Sequence, residues 1–247
     1  MAALQTKDNS VSQTARFLII GNGRVAKHFA FYFSQLNLPV RQWYRQCARP
    51  LSDNVNWASH VLLLISDRAI ADFVASHPAL RDKVLVHFSG GLVIDHVTAA
   101  HPLMTFSEVL YSAEFYPSVP FILHGEKASL DHCLPGLPNP HYCIPEQDVP
   151  YYHSMCVMAN NFSTILWNKC FDEFAQRWQL PREVLLPILR QTSMNIECLS
   201  SASLTGPLQR GDWTTTQSHL KALASDDYRL IYQAFVDVFT ALKRREE

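Results

Sequence analysis

A surplus of charge of one sign is missing from this sequence: Lys and Arg number 21 against 22 Asp and Glu. Without a basic surplus there is no field to hold a nucleic-acid backbone by counterion release, and nothing draws the chain to an anionic membrane. No apolar run reaches the roughly 18 residues needed to span a bilayer. The first residues, MAALQTKDNSVSQTA, lack the apolar centre of a signal peptide and read as a flexible tail over 1–15. Six cysteines occur without a CxxC pair, so the usual redox and zinc spacings are absent. His132-Cys133 and His141-Cys143 come nearest to a metal pattern, but Pro135, Pro138 and Pro140 break that stretch into irregular loop, and no metal is expected. These absences leave a cytoplasmic enzyme as the default, in one large domain or two modest ones.

Arg16–Ile20 is a short run of strand formers that meets Gly21-Asn22-Gly23, and Arg24–Phe33 then has helical length with no breaker. Asn37-Leu38-Pro39 ends that helix and Val40–Tyr44 reads as a second strand, which makes a βαβ unit by length and punctuation. The alternation continues. His60–Ile65 is a continuous apolar run suited to a strand covered on both faces. Ser66-Asp67 is a capping pair before a helix to about Ala75. Val84–His87 is the next strand, and shorter ones fit Val97–Ala100, Pro120–His124 and His141–Ile144. Alternating strands and helices predict a parallel α/β sheet. After about Pro150 no strand is convincing, and Tyr151–Trp178, Arg182–Leu199 and Thr214–Arg244 read as helices. The fold class is therefore α/β, with a dinucleotide-binding domain at 16–148 and an all-helical domain at 149–247.

Gly21-x-Gly23-x-x-Ala26 matches the dinucleotide fingerprint. The first glycine permits the tight turn, the second lets backbone approach a pyrophosphate, and the alanine lets helix pack on sheet. The helix N-terminus offers free N–H groups to the phosphates. Gly21, Asn22, Gly23, Arg24 and Val25 are thus the candidate cofactor loop. NAD enzymes usually carry an acid at the end of the second strand for the ribose 2′-OH. Here Arg41-Gln-Trp-Tyr-Arg45 stands instead, with Arg49 beyond. A guanidinium suits an added 2′-phosphate, so Arg45 favours NADP over NAD; solvated surface arginines are the alternative. Ser66, Asp67, His87 and Ser89 follow strand ends, where ligands of open α/β sheets lie; turn and capping chemistry would explain them equally.

The helix at 151–178 is apolar nearly all round, which predicts burial on most sides. Polar groups within it are therefore informative. His153 and Asn160 share a face, and Asn161 lies roughly 80° further around; each is either a satisfied core group or a substrate contact. Leu204-Thr-Gly-Pro-Leu-Gln-Arg-Gly-Asp212 reads as a fixed loop in which Arg210 is the one cation, able to clamp a substrate carboxylate. Asp212 is placed to cap the helix near Thr214 or to serve the site.

GNGRVAKHF at 21–29, HFSGG at 87–91, HPLMTF at 101–106, YHSMCVMANNF at 152–162 and LTGPLQRGDWTTTQSHL at 204–220 together resemble a family of unknown function. That family joins a Rossmann-like N-terminal domain to an all-helical C-terminal one. It is similar in plan to ketopantoate reductases and pyrroline-5-carboxylate reductases, and some members look like an alternative class of ketopantoate reductase, serving pantothenate and coenzyme A synthesis. The resemblance implies NADP(H), a small anionic 2-oxo acid and a homodimer. One departure matters. The better-known ketopantoate reductases carry a catalytic Lys four residues before an Asn; if Asn161 matches that Asn, the Lys position holds Val157. His153 and His101 are then the available proton donors. Hydride transfer from NADPH to a 2-oxo acid, with Asn161 orienting the carbonyl and Arg210 holding the carboxylate, is the main expectation. Imine reduction, which needs no strong acid, and a non-catalytic NADP-binding sensor stand beside it.

Overall fold

A computed structural model describes residues 15–125 and 128–246. The tail read at 1–15 lies, but for Ala15, outside the described residues. The chain divides into two compact units, Met1–Ile165 and Leu166–Glu247.

The first unit is built on β1 (Phe17–Ile20), β2 (Val40–Trp43), β3 (His60–Leu63), β4 (Val84–His87), β5 (Thr98–Pro102), β6 (Phe121–His124) and β7 (His141–Cys143), with α1 (Arg24–Gln35), α2 (Leu51–Trp57), α3 (Asp67–Ser76), α4 (Leu130–Cys133) and α5 (Val149–Val157). The sheet runs β2-β1-β3-β4-β5-β6-β7. Pairing is parallel except between β5 and β6, where Ala99 faces His124 and Pro102 faces Phe121 in antiparallel register. The expectation of a parallel sheet needs correcting at that step. A parallel crossover usually carries a helix; the 103–120 connection holds only the short Tyr116–Ser118 turn and returns the chain antiparallel.

Apolar side chains alternate between two cores, as a twice-covered sheet requires. Phe17 and Ile19 face a cluster containing Phe29, Tyr32 and Phe33 of α1, with Phe121 and Leu123. Leu18 and Ile20 face one containing Val55, Ile70 and Leu85. The buried polar groups of the first cluster bond one another. His28 shares hydrogen bonds with the Tyr116 hydroxyl at 2.8 Å and the Ser107 carbonyl at 3.0 Å, and Tyr32 donates to Asn139 at 2.7 Å.

The helix read at 151–178 begins at Val149, with Pro150 in its first turn where the missing N–H is harmless. It continues through a π-helical turn at Met158–Phe162 into α6 (Ser163–Trp178), where the division between the units falls. Its expected burial is not found in the single chain. Met155, Met158, Phe162 and Ile165 are exposed, and Phe171 is the buried residue of α6.

The second unit contains α7 (Leu186–Leu199), α8 (Pro207–Arg210), α9 (Trp213–Ala222) and α10 (Tyr228–Glu246). The single helix expected over Thr214–Arg244 is two, because Asp226 starts a new one. Its carboxylate accepts the Tyr228 backbone N–H at 2.8 Å and pairs with Lys169 at 2.7 Å. Among the described residues, no helix is long and apolar enough to cross a membrane.

Candidate functional site

Every residue of the candidate cofactor set lines one cleft of about 1260 Å³ at the carboxyl ends of β1 to β4: Gly21, Asn22, Gly23, Arg24, Val25, Arg45, Ser66, Asp67 and Ser89. This is where βα loops converge in such a sheet. Gly21 is required by the fold itself. Its φ is +133°, and a Cβ there would lie 2.1 Å from the Leu64 carbonyl oxygen. Gly23 is different. It has an ordinary φ of −75° as the N-cap of α1, and a Cβ would meet nothing within 4 Å. Among the described residues no atom demands glycine there, and the turn is open on that side, as the dinucleotide fingerprint requires. Among the described residues no side chain caps α1, so its first N–H groups are of the kind that phosphate oxygens can meet.

The end of β2 offers Trp43, Tyr44, Arg45 and Gln46 to the cleft and no carboxylate. Arg45 is exposed. Arg41 is taken up by Trp57, with its guanidinium 4.2 Å from the ring centre. Arg68, in the first turn of α3, also lines the cleft; sequence reasoning passed over it, although its place two residues after Ser66 was a usable signal. Ser66 sits at the N-cap of α3 without making a side-chain cap bond. Asp67 instead accepts the Ser89 hydroxyl at 2.6 Å, and Ser89 Oγ accepts the Gly91 N–H at 3.2 Å. The loop after β4 is thereby tied to the start of α3.

His87, expected to face the cofactor, does not. It is wholly buried, because its side chain joins the sheet-face row that runs through Ala99 to His124. Its Nδ1 accepts the Ser89 N–H at 3.3 Å. Burial above all, then His124, pushes its pKa down to about 4, with Asp67 opposing and His101 adding a smaller push the same way. Its Nε2 and that of His124 are buried without a hydrogen-bond partner among the described residues.

His101 and His153, which lie far apart in sequence, meet over Gly90. A Cβ on Gly90 would stand 2.6 Å from His153 Nδ1 and 3.0 Å from His101 Nε2. The two rings are 6.2 Å apart, edge to face. His101 comes from β5 and His153 from α5, so the first turns of α5 close over the glycines that follow β4. Tyr152, which opens the YHSMCVMANNF stretch without a role of its own in the sequence reading, meets His101: its hydroxyl lies 2.6 Å from Nδ1. Burial first, then His153, depresses His101 to about 4, against a raising influence from Asp67 and with His124 adding.

Asn160 and Asn161 are exposed on the π turn and bond each other at 3.2 Å; the buried amide expected of them is not present in the single chain. Arg210 and Asp212 belong to the second unit. Arg210 is exposed in the last turn of α8. Asp212 caps α9, accepting from the Thr215 N–H at 3.0 Å and its hydroxyl at 2.7 Å. The loop read around them is a one-turn helix between left-handed Gly206 and Gly211.

Residues 125–238, somewhat under half of the chain, match a family model described as a domain of unknown function (DUF2520). No curated protein matches the sequence. Among solved structures, the chain is similar to BF3122 of Bacteroides fragilis, named an NADP oxidoreductase, with 19% identity and a TM-score of 0.72 over 91% of this chain and 97% of that one. It is similar to protein TM1727 of Thermotoga maritima, with 22% identity and a TM-score of 0.65 over 93% and 99%. It is also similar to the pyrroline carboxylate reductase of Plasmodium falciparum, solved with NADP bound, with 11% identity and a TM-score of 0.58 over 91% and 96%. At these identities the likeness establishes the fold: a Rossmann-like sheet followed by a helical C-terminal region.

Proposed function

We propose that the protein is an NADPH-dependent reductase of a small 2-oxo acid, with 2-dehydropantoate (ketopantoate) as the first substrate to try. The observation that carries this reading is the cleft at the glycine turn, lined together by Gly21–Val25, Arg45, Ser66, Asp67 and Ser89, with His101 and His153 packed on Gly90 beside Ser89. Bound NADPH would supply the hydride. The chain's own groups do the rest. The turn at Gly21–Val25 binds the pyrophosphate, and Arg45 binds the 2′-phosphate. His153 and His101 are the candidates to deliver a proton to the reduced oxygen, and solvent replaces it. Asn161 remains a candidate to orient the carbonyl.

A second reading is reduction of a C=N bond. It draws on the neutrality of His101, whose pKa is depressed to about 4. A neutral imidazole is a weak acid, and an iminium substrate arrives with its proton already in place. Loss of reduced-nicotinamide absorbance across a panel of 2-oxo acids and cyclic imines separates the two. Turnover of ketopantoate is expected. Turnover of cyclic imines alone would replace the substrate class, and NADPH binding without any turnover would point to a sensor.

A homodimer belongs to the same proposal, since Phe162, Ile188, Met194, Phe235 and Leu242 are exposed on the helices of the single chain.

A further inference from the structure

We infer that His77 selects the base of the dinucleotide: its Nε2 accepts a hydrogen bond from the exocyclic 6-amino group of adenine, at a wall of the cleft formed by Trp43, Phe73 and His77. This rests on the reductase reading, which puts a dinucleotide in the cleft, and adds to it the residue that tells one base from another.

The chemistry of the cofactor decides which part of the cleft takes the base. The 2′-phosphate sits on the ribose that carries the adenine, so the base belongs at the Arg45 end and not at the Ser89 end. Trp43 closes β2 two residues before Arg45, and it lines the cleft together with Phe73 and His77. The three rings run in a row. Trp43 and Phe73 have ring centres 6.4 Å apart, and Phe73 and His77 are stacked at 4.3 Å and 30°. The Trp43 ring is fixed, because its Nε1–H donates to the Arg49 carbonyl at 3.1 Å. Such a wall suits a flat base, but every base has a π-face, so stacking alone does not choose among them. A hydrogen-bonding edge does.

His77 supplies that edge. It stands four residues after Phe73, on the same face of α3. At this helix end the His77 backbone N–H bonds the Val74 carbonyl, and the Phe73 carbonyl is met by His77 Nδ1 instead, at 2.7 Å. A carbonyl only accepts, so Nδ1 carries the ring proton, and in the neutral ring Nε2 is the acceptor. Capping accounts for Nδ1 and leaves Nε2 unused. Among the described residues Nε2 makes no hydrogen bond, and it is not one of the buried unpaired atoms. It is therefore reachable from outside, and His77 lines the cleft. Adenine presents an N–H donor at its 6-position. Hypoxanthine carries a carbonyl oxygen there, which would set two acceptors against each other.

The test is calorimetric titration of the intact protein with NADPH and with its 6-deamino analogue, which carries hypoxanthine, at about pH 8 where an ordinary imidazole is neutral. The wild type should bind NADPH about tenfold more tightly than the analogue. The His77→Asn variant keeps an amide donor near the Nδ1 position and lacks the acceptor. It should melt with the wild type and bind the two dinucleotides alike, with NADPH weakened to the level of the analogue. Equal wild-type affinities overturn the proposal, and that measurement needs no variant. A preference for NADPH that survives in His77→Asn overturns it as well and passes the role to another acceptor of the cleft, such as Asp72. If neither dinucleotide binds, the reductase reading falls and this proposal with it, which separates the two failures.

Discussion

Gly21 and Gly23 stand two residues apart and are glycine for different reasons, which makes them a paired experiment. Gly21 is left-handed, and its missing Cβ leaves room for the Leu64 backbone. Gly21→Ala should therefore be severely destabilising, by about 3 kcal/mol or more, since both strain and a backbone clash oppose it. Gly23 has no neighbour to offend, so Gly23→Ala should melt with the wild type and lose at least about tenfold in NADPH affinity. Thermal melts and NADPH titration decide the pair; equal NADPH affinity in folded Gly23→Ala would remove the pyrophosphate from this turn. Arg45 tests the other end of the cofactor. Arg45→Asp removes a charge-assisted contact worth about 1.5–3 kcal/mol, one to two decades in affinity. NADPH should weaken by that much while NADH does not, and equal weakening of both would take the 2′-phosphate away from Arg45. This half of the site was legible in the sequence because the turn and its flanking strands are contiguous. The other half was not: His101 and Tyr152 are 51 residues apart on separate elements, and their contact exists only once α5 is laid on the sheet.

At the scale of elements, Asp212 shows how local chemistry ends one helix and begins the next. Gly211 is left-handed after α8, and Asp212 then satisfies the first turn of α9 through Thr215. Asp212→Ala should lower the denaturant midpoint modestly, as loss of an N-cap does. It should leave turnover per folded molecule unchanged, which denaturant melts and kinetics on the same preparation will show; a sharp loss of turnover would move Asp212 from cap to catalyst. Most strands could be read from the sequence because each is a short apolar run ended by a turn signal. The misses share one cause. The antiparallel β5–β6 pairing depends on the path of the 103–120 connection, and composition does not encode that path. The break before α10 depends on Asp226 meeting Lys169 from another helix. The π turn at Met158–Phe162 has no apolar periodicity of its own. Helix 151–178 was rightly read as apolar, but hydrophobicity states that a face wants cover and not what covers it.

For the whole molecule, that uncovered surface and the buried histidines give the last two expectations. Exposed Met158, Phe162, Ile188, Phe235 and Leu242 predict light scattering at twice the mass of the 28.1 kDa chain, and a monomer at micromolar concentration would count against the dimer. The histidines set the acid limit. His87 and His101 are each held at about 4, against an ordinary value of 6.5. A group whose folded pKa is depressed resists protonation in the fold while the unfolded chain accepts it. Stability is therefore complete above 6.5 and falls as pH drops toward 4. Each histidine removes about 1.4 kcal/mol per pH unit across that window. His60 and His124, both lowered by burial, act in the same direction. The paired carboxylates Asp212, Glu173 and Asp226 are also depressed, but their contribution is lost only below the ordinary carboxylate range, so the two windows separate. A domain holds about 5–15 kcal/mol in all, so two such groups can unfold it before the carboxylates titrate. Urea midpoints should be flat above neutral pH and fall steeply by about pH 5. A midpoint that stays constant from neutral to about pH 5 would mean that burial does not depress the two rings, which would then titrate in the fold as they do in the unfolded chain.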